Sequence, residues 1–141
     1  MIYFGSSGVT YTAGSGNETL NAAGSSSDNQ IFAGNGNDSL VGGSGNDRLT
    51  AGTGSATMSG GSGFSVFVFL NGQAGGNDVI TDFNSNDLLL LGGYGISAGT
   101  NAINSATVGG GSTTIALPDN TRITFENITN PAAINVFSLL T

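Results

Sequence analysis

At 141 residues the chain is one domain, or one module with a distinct end, and 25 of its residues are glycine. Its nine carboxylates face only Arg48 and Arg122, giving a net charge of −7. That deficit of Lys and Arg excludes nucleic acid as a partner and gives no hold on an anionic membrane, whereas it admits cations. No Cys is present, so neither a disulfide framework nor thiol chemistry is available.

The first residues, Met1 to Gly5, lack the basic and apolar regions of a secretory leader. The longest apolar run, Leu88 to Leu91, is too short to span a bilayer, so no membrane insertion is expected. The expectation is a cytosolic chain, a fragment, or a protein exported by a route that needs no N-terminal signal.

From residue 4 to residue 68 a single apolar residue recurs: Tyr11, Leu20, Ile31, Leu40, Leu49, Met58 and Phe67. The spacing is nine, with one step of eleven caused by an insertion at 22–23. With the apolar residue as position eight, the units are 4–12, 13–21, 24–32, 33–41, 42–50, 51–59 and 60–68, the first a weak match. One short strand and one tight turn fill nine residues, so the period predicts a solenoid. Glycines at positions two and four suit tight turns, through positive φ or close backbone approach. A lone unit cannot bury its one apolar side chain, but stacked units bury all of them.

After residue 63 the pattern changes. Strands are expected at Phe64–Leu70, Asp78–Phe83 and Asp87–Leu91. Ser112–Leu117 and Thr121–Phe125 flank Pro118-Asp119-Asn120, a hairpin signal, and Ile134–Leu140 is a terminal strand. The expected division is a roll over residues 4–70 and an antiparallel β cap with the C-terminal segment over 71–141.

The turn Gly-Gly-x-Gly-x-Asp gathers backbone carbonyls and one carboxylate around a small space. Calcium, which takes six to eight oxygens, suits such a cage. Residues 42–50 carry every fixed position of Gly-Gly-x-Gly-x-Asp-x-apolar-x, and 33–41 miss only the first Gly. On these residues the chain resembles the RTX, or haemolysin-type calcium-binding, nonapeptide family. The segment from Gly75 through Asp78-Val-Ile-Thr-Asp-Phe83 to Leu88 is similar to the stretch found directly after the repeats in many such modules. The resemblance implies an all-β, right-handed parallel β-roll with two nonapeptides per coil and Ca²⁺ between turns. It also implies a secreted, extracellular bacterial setting, reached through a type I secretion apparatus. The apolar stretch Asn135–Thr141 is compatible with the terminal signal of that route.

Position six, the calcium carboxylate of the pattern, is held by Val9, Glu18, Asn29, Asp38, Asp47, Ala56 and Ser65. Two of these seven are Asp, so few calcium ions are expected. Units two apart stack in a roll, which pairs Glu18 with Asp38 and Asn29 with Asp47. Asp28 falls one place out of register and reads as solvated. The densest acidic cluster is Asp78, Asp82 and Asp87, where Asp78 and Asp82 are expected to share a cation because they point the same way along a strand. With no His, Cys or Lys and no nucleophile or phosphate-cradling motif, the chain reads as non-catalytic. The alternative reading is an extracellular polysaccharide-binding module, with Tyr94 in its Gly-Gly-Tyr-Gly loop stacking on sugar or capping the core.

Overall fold

The computed structural model of the protein describes residues 2–3 and 8–139. Among these residues it forms fourteen strands and one seven-residue α-helix. The strands are β1 (Ile2–Tyr3), β2 (Thr10–Thr12), β3 (Thr19–Asn21), β4 (Gln30–Phe32), β5 (Asp38–Val41), β6 (Arg48–Thr50) and β7 (Ala56–Ser59). Next come β8 (Val66–Leu70), β9 (Asn77–Ile80), β10 (Leu88–Gly92), helix α1 (Ala98–Asn104), β11 (Thr107–Gly109), β12 (Ser112–Ala116), β13 (Arg122–Phe125) and β14 (Val136–Leu139).

Successive strands alternate between two sheets, ordered β1-β3-β5-β7-β9-β13-β12-β11 and β14-β10-β8-β6-β4-β2. Among the described residues every pairing is parallel except β11–β12 and β12–β13. The solenoid expected from the nine-residue period is therefore present. Its register follows the apolar residues. In one sheet Tyr11, Ile31, Leu49, Phe67 and Leu89 lie opposite one another in order. In the other Leu20, Leu40, Met58, Ile80 and Phe125 do the same. All of these except Tyr11 are fully buried, and each such side chain contributes about 1.5–3 kcal/mol. A one-residue slip would turn the whole row outward, which fixes the register.

The parallel ladder does not end at residue 70, as the division at 70/71 expects. β9 pairs with β7, and β10 with β8, both parallel. Ile80 and Leu89 are thus further position-eight residues, nine apart, in units 73–81 and 82–90. Four extra residues, 69–72, separate them from Phe67 and hide the continuation from a nine-residue count. The antiparallel part is confined to β11, β12 and β13. The β12–β13 hairpin turns at Pro118–Asn120, with Asn120 at φ 70°. β13 and β14 then rejoin the two sheets in parallel, closing both stacks with one crossover.

Helix α1 has no counterpart in the sequence reading. Its composition, Ala-Gly-Thr-Asn-Ala-Ile-Asn, favours no helix and it has no side-chain cap, so tertiary packing holds it. Gly99 lets it lie on β14, because a Cβ there would meet the Val136 side chain at 2.7 Å. The Gly99 N–H donates to Ser138 Oγ at 2.8 Å. Between roll and cap, the Phe83 ring lies 5.9 Å from Phe67 and 5.2 Å, edge to face, from Phe125. The expected strand end Leu140, and residues 4–7 of the first unit, lie outside the described residues.

Candidate metal centre

Position six lies at or just before the start of each strand, two residues ahead of the buried position-eight residue. Asp38, Asp47, Asp78 and Asp87 all occupy it and all are buried. A carboxylate placed there must find donors, and the turns supply them. Asp38 Oδ1 accepts the Glu18 N–H of the preceding coil at 2.9 Å, and Oδ2 accepts the Gly34 N–H of its own turn at 3.1 Å. Asp47 repeats the arrangement: Oδ1 takes the Asn29 N–H at 2.9 Å and Oδ2 the Gly43 N–H at 2.7 Å. Asp87 does so with Ser65 N–H at 3.0 Å and Asn84 N–H at 3.0 Å. Glu18, being longer and nearer the surface, folds onto its own turn and accepts the Gly14 N–H at 2.6 Å.

Asp78 departs from this rule. Its Oδ1 accepts the Ala56 N–H at 2.7 Å, but its Oδ2 is buried without a partner. The amide that should serve it, Ala74 N–H, donates instead to the Leu70 carbonyl at 2.8 Å, inside the turn created by the extra residues 69–72. Burial pushes the Asp78 carboxyl up to about 7, with the Ala56 amide opposing the shift. Burial also raises Asp87; the Ser65 and Asn84 amides oppose this and the charge of Asp82 adds to it.

The sequence pairs Asn29 with Asp47 and Glu18 with Asp38, and the stack places both as neighbours. Asn29 Nδ2 donates to Asp47 Oδ1 at 2.8 Å, and Glu18 and Asp38 line one open cleft of about 440 Å³ with Asn37, Ser55 and Asn77. The shared site expected for Asp78 and Asp82 is not formed. Asp78 bonds at Ala56, whereas Asp82 accepts from Gly60 N–H (2.8 Å), Gly61 N–H (2.9 Å) and Ser59 Oγ (2.8 Å), at the other end of β7. Strand parity fails because β9 ends at Ile80 and Asp82 lies in the bend beyond it. Asp82 lies instead within electrostatic reach of Asp87.

A second polar row went unrecognised in the sequence. Position-five side chains accept the position-five N–H of the next coil: Asn17 from Asn37 (2.8 Å), Asn37 from Ser55 (3.3 Å), Asp28 from Asn46 (2.7 Å) and Asn46 from Phe64 (3.1 Å). Asp28 is thus a member of this row and not merely solvated. The repetition of Asn at position five was the available signal.

Among the described residues no three acidic, His or Cys side chains converge on a point, so a cation here must draw on backbone carbonyls as well. The Gly14 and Gly16 oxygens point at Gly34 and Gly36 of the next coil so closely that a Cβ at either glycine would strike them. Close approach, more than positive φ, explains the repeat glycines, since in the described units only Gly61 and Gly76 have φ between 74° and 90°. Carboxylate and carbonyl oxygen is the donor set that suits Ca²⁺.

A parallel β-roll of nonapeptides with oxygen-lined turns defines a class of calcium-binding repeat module. The RTX calcium-binding nonapeptide repeat matches the chain in four copies, including residues 12–49, 23–58 and 32–66, and this repeat segment belongs to that family. Among solved structures the chain is similar to the R3 subunit of the mannuronan C5-epimerase AlgE6 of Azotobacter vinelandii. Identity is 26%, the TM-score is 0.64, and the match covers 89% of this chain and 79% of that one. A comparison with curated protein sequences gives no match. Among the described residues no helix is long and apolar enough to cross a membrane.

Proposed function

We propose that this chain is a non-catalytic, calcium-binding RTX module that supports folding and stability of a larger extracellular protein, with few calcium sites. The observation that carries this reading is the row of buried position-six carboxylates, each held by N–H donors of the turns, with Asp78 left one donor short. Calcium bound to the folded roll and not to the unfolded chain would stabilise it by mass action. Type I secretion fits the same reading, because calcium met outside the cell would add stability to this acidic, glycine-rich chain. Thermal melting in calcium and then in chelator tests it: a rise of several degrees with calcium is expected, and an identical melting temperature in both would remove calcium from the account.

The cleft along Asn17, Thr19, Asn37, Ser39, Thr57 and Asn77 supports a second reading, an extracellular polysaccharide lying along the roll. It offers one set of amide and hydroxyl groups per coil, and the structural neighbour comes from an enzyme of a polysaccharide, mannuronan. An acidic polymer meets a net charge of −7 here, so calcium is needed between them. Tyr94 is not part of this reading: its ring packs on the core and its hydroxyl donates to Asp119 Oδ2 at 2.6 Å. Gel retardation in mannuronan with and without calcium distinguishes the two readings.

A further inference from the structure

Where the roll passes into its cap, two buried oxygens lack a hydrogen bond of good geometry: Asp78 Oδ2, and Thr121 Oγ1, which lies beside Asp119 and Tyr94. Asp78 is 1% exposed and Thr121 0%. They belong to adjacent chain segments of one sheet. Thr121 directly precedes β13, whose Arg122 and Ile123 lie opposite Asn77 and Asp78, with the Arg122 N–H donating to the Gly76 carbonyl at 3.0 Å. Residues 78 and 80 share the buried face of β9, 123 and 125 that of β13, and Thr121, just ahead of β13, is buried as they are, so both side chains belong to the inner side.

The same corner holds a second carboxylate. Asp119, in the hairpin turn, accepts the Tyr94 hydroxyl at 2.6 Å and the Thr121 N–H at 3.1 Å. Burial works to raise its carboxyl, but these donors, with the nearby Thr121 hydroxyl, outweigh it and hold it below its ordinary value. Burial and Asp119 both raise the Tyr94 phenol, and the charge of Asp78 reaches it as well. Asp119 is therefore ionised, Tyr94 lies between it and the reach of the Asp78 charge, and no Lys or Arg donates to Asp78 among the described residues. A buried carboxylate lacking a donor is costly; a bound cation supplies the missing charge and takes both oxygens as ligands at once.

We propose that a calcium ion binds at this seam through Asp78 Oδ2 and Thr121 Oγ1, with Asp119 as the second charge, and so ties the capping hairpin to the roll. The inference rests on the calcium reading of the repeats and extends it, because Thr121 and Asp119 belong to no nonapeptide. The site differs from the turn sites in having one wall from the cap, which makes docking of β13 calcium-dependent.

The test is calcium titration of the 141-residue protein by calorimetry, with terbium luminescence excited through tyrosine as a second readout. Tyr94 stands at the seam, whereas Tyr11 lies in β2 at the far end of the roll. Thr121→Val, which removes only the hydroxyl, is expected to weaken one site at least tenfold and to lower the sensitised emission. Asp78→Asn is expected to abolish both, while Asp38→Asn leaves the emission unchanged. Should Asp78→Asn not fold, Thr121→Val carries the test. Calcium binding and emission unchanged in Thr121→Val overturn the seam site and leave the repeat reading standing. Absence of calcium binding by the unsubstituted protein overturns both.

Discussion

The Asp47 carboxylate accepts both the main-chain N–H and the side-chain amide of Asn29, at 2.9 and 2.8 Å, through a single oxygen. The two residues are eighteen apart in sequence and adjacent in the stack, both 1% exposed. The pair shows what position six does before any metal is considered: it pins each coil to the one before it.

Asp47→Ala should therefore destabilise the roll even in chelator. It strands two donors of Asn29 and the Gly43 N–H in a dry site, at a cost of about 3 kcal/mol. A fall in melting temperature of roughly 10 °C is expected. A calorimetric scan in chelator that shifts by less than a degree would contradict this role.

Asn29→Asp tests the same pair from the other side. It replaces a donating amide by a second carboxylate beside Asp47, and like charges at this distance repel. The variant should melt lower than the parent in chelator and gain more from calcium. Equal calcium-induced shifts in parent and variant would count against cation binding at this edge.

Stability without calcium should depend on Asp78. A carboxyl raised from 3.8 to about 7 in the folded state takes up a proton on folding between those values. Its contribution is complete below about pH 4 and lost as pH rises through about 7. In chelator, stability should therefore fall from pH 5 to pH 8, by roughly 3 kcal/mol at most, and Asp87 adds in the same direction. Denaturant unfolding of Asp78→Asn across this range should give a flatter curve.

Glycine substitutions separate close approach from simple flexibility. Gly34→Ala should cost about 1–3 kcal/mol, since its Cβ would strike the Gly14 carbonyl, which is backbone and cannot move aside. Gly16→Ala faces open space and should be neutral, or stabilising by up to about 1 kcal/mol. Urea midpoints for the two variants give the comparison.

Phe83→Ala should loosen the cap from the roll. It removes the ring between Phe67 and Phe125 and leaves a cavity, at about 3–5 kcal/mol. Amide exchange should rise in β13 and β12 more than in β4 and β5.

Leu20, Ile31, Leu40 and Leu49 announce their rows in the sequence, because a parallel stack keeps one period and one inward position per strand. The hairpin at Pro118–Asn120 is legible from its turn residues. Ile80 and Leu89 belong to the same rows but are hidden by residues 69–72, since a loop lengthens without cost to the register on either side. Helix α1 is invisible in the sequence, being held only by packing on β14.

Taken alone, the chain's residue order specifies the repeating unit, the buried rows, the pairing of Glu18 with Asp38 and Asn29 with Asp47, and the oxygen-rich, acidic character of the turns. Those are local properties multiplied by a fixed period. Three-dimensional stacking sets where the period resumes, parts Asp78 and Asp82 to opposite ends of β7, and brings Thr121 and Asp119 to the seam with Asp78. Such neighbours are set by a strand returning from the cap some forty residues later, and no spacing along the chain encodes that meeting.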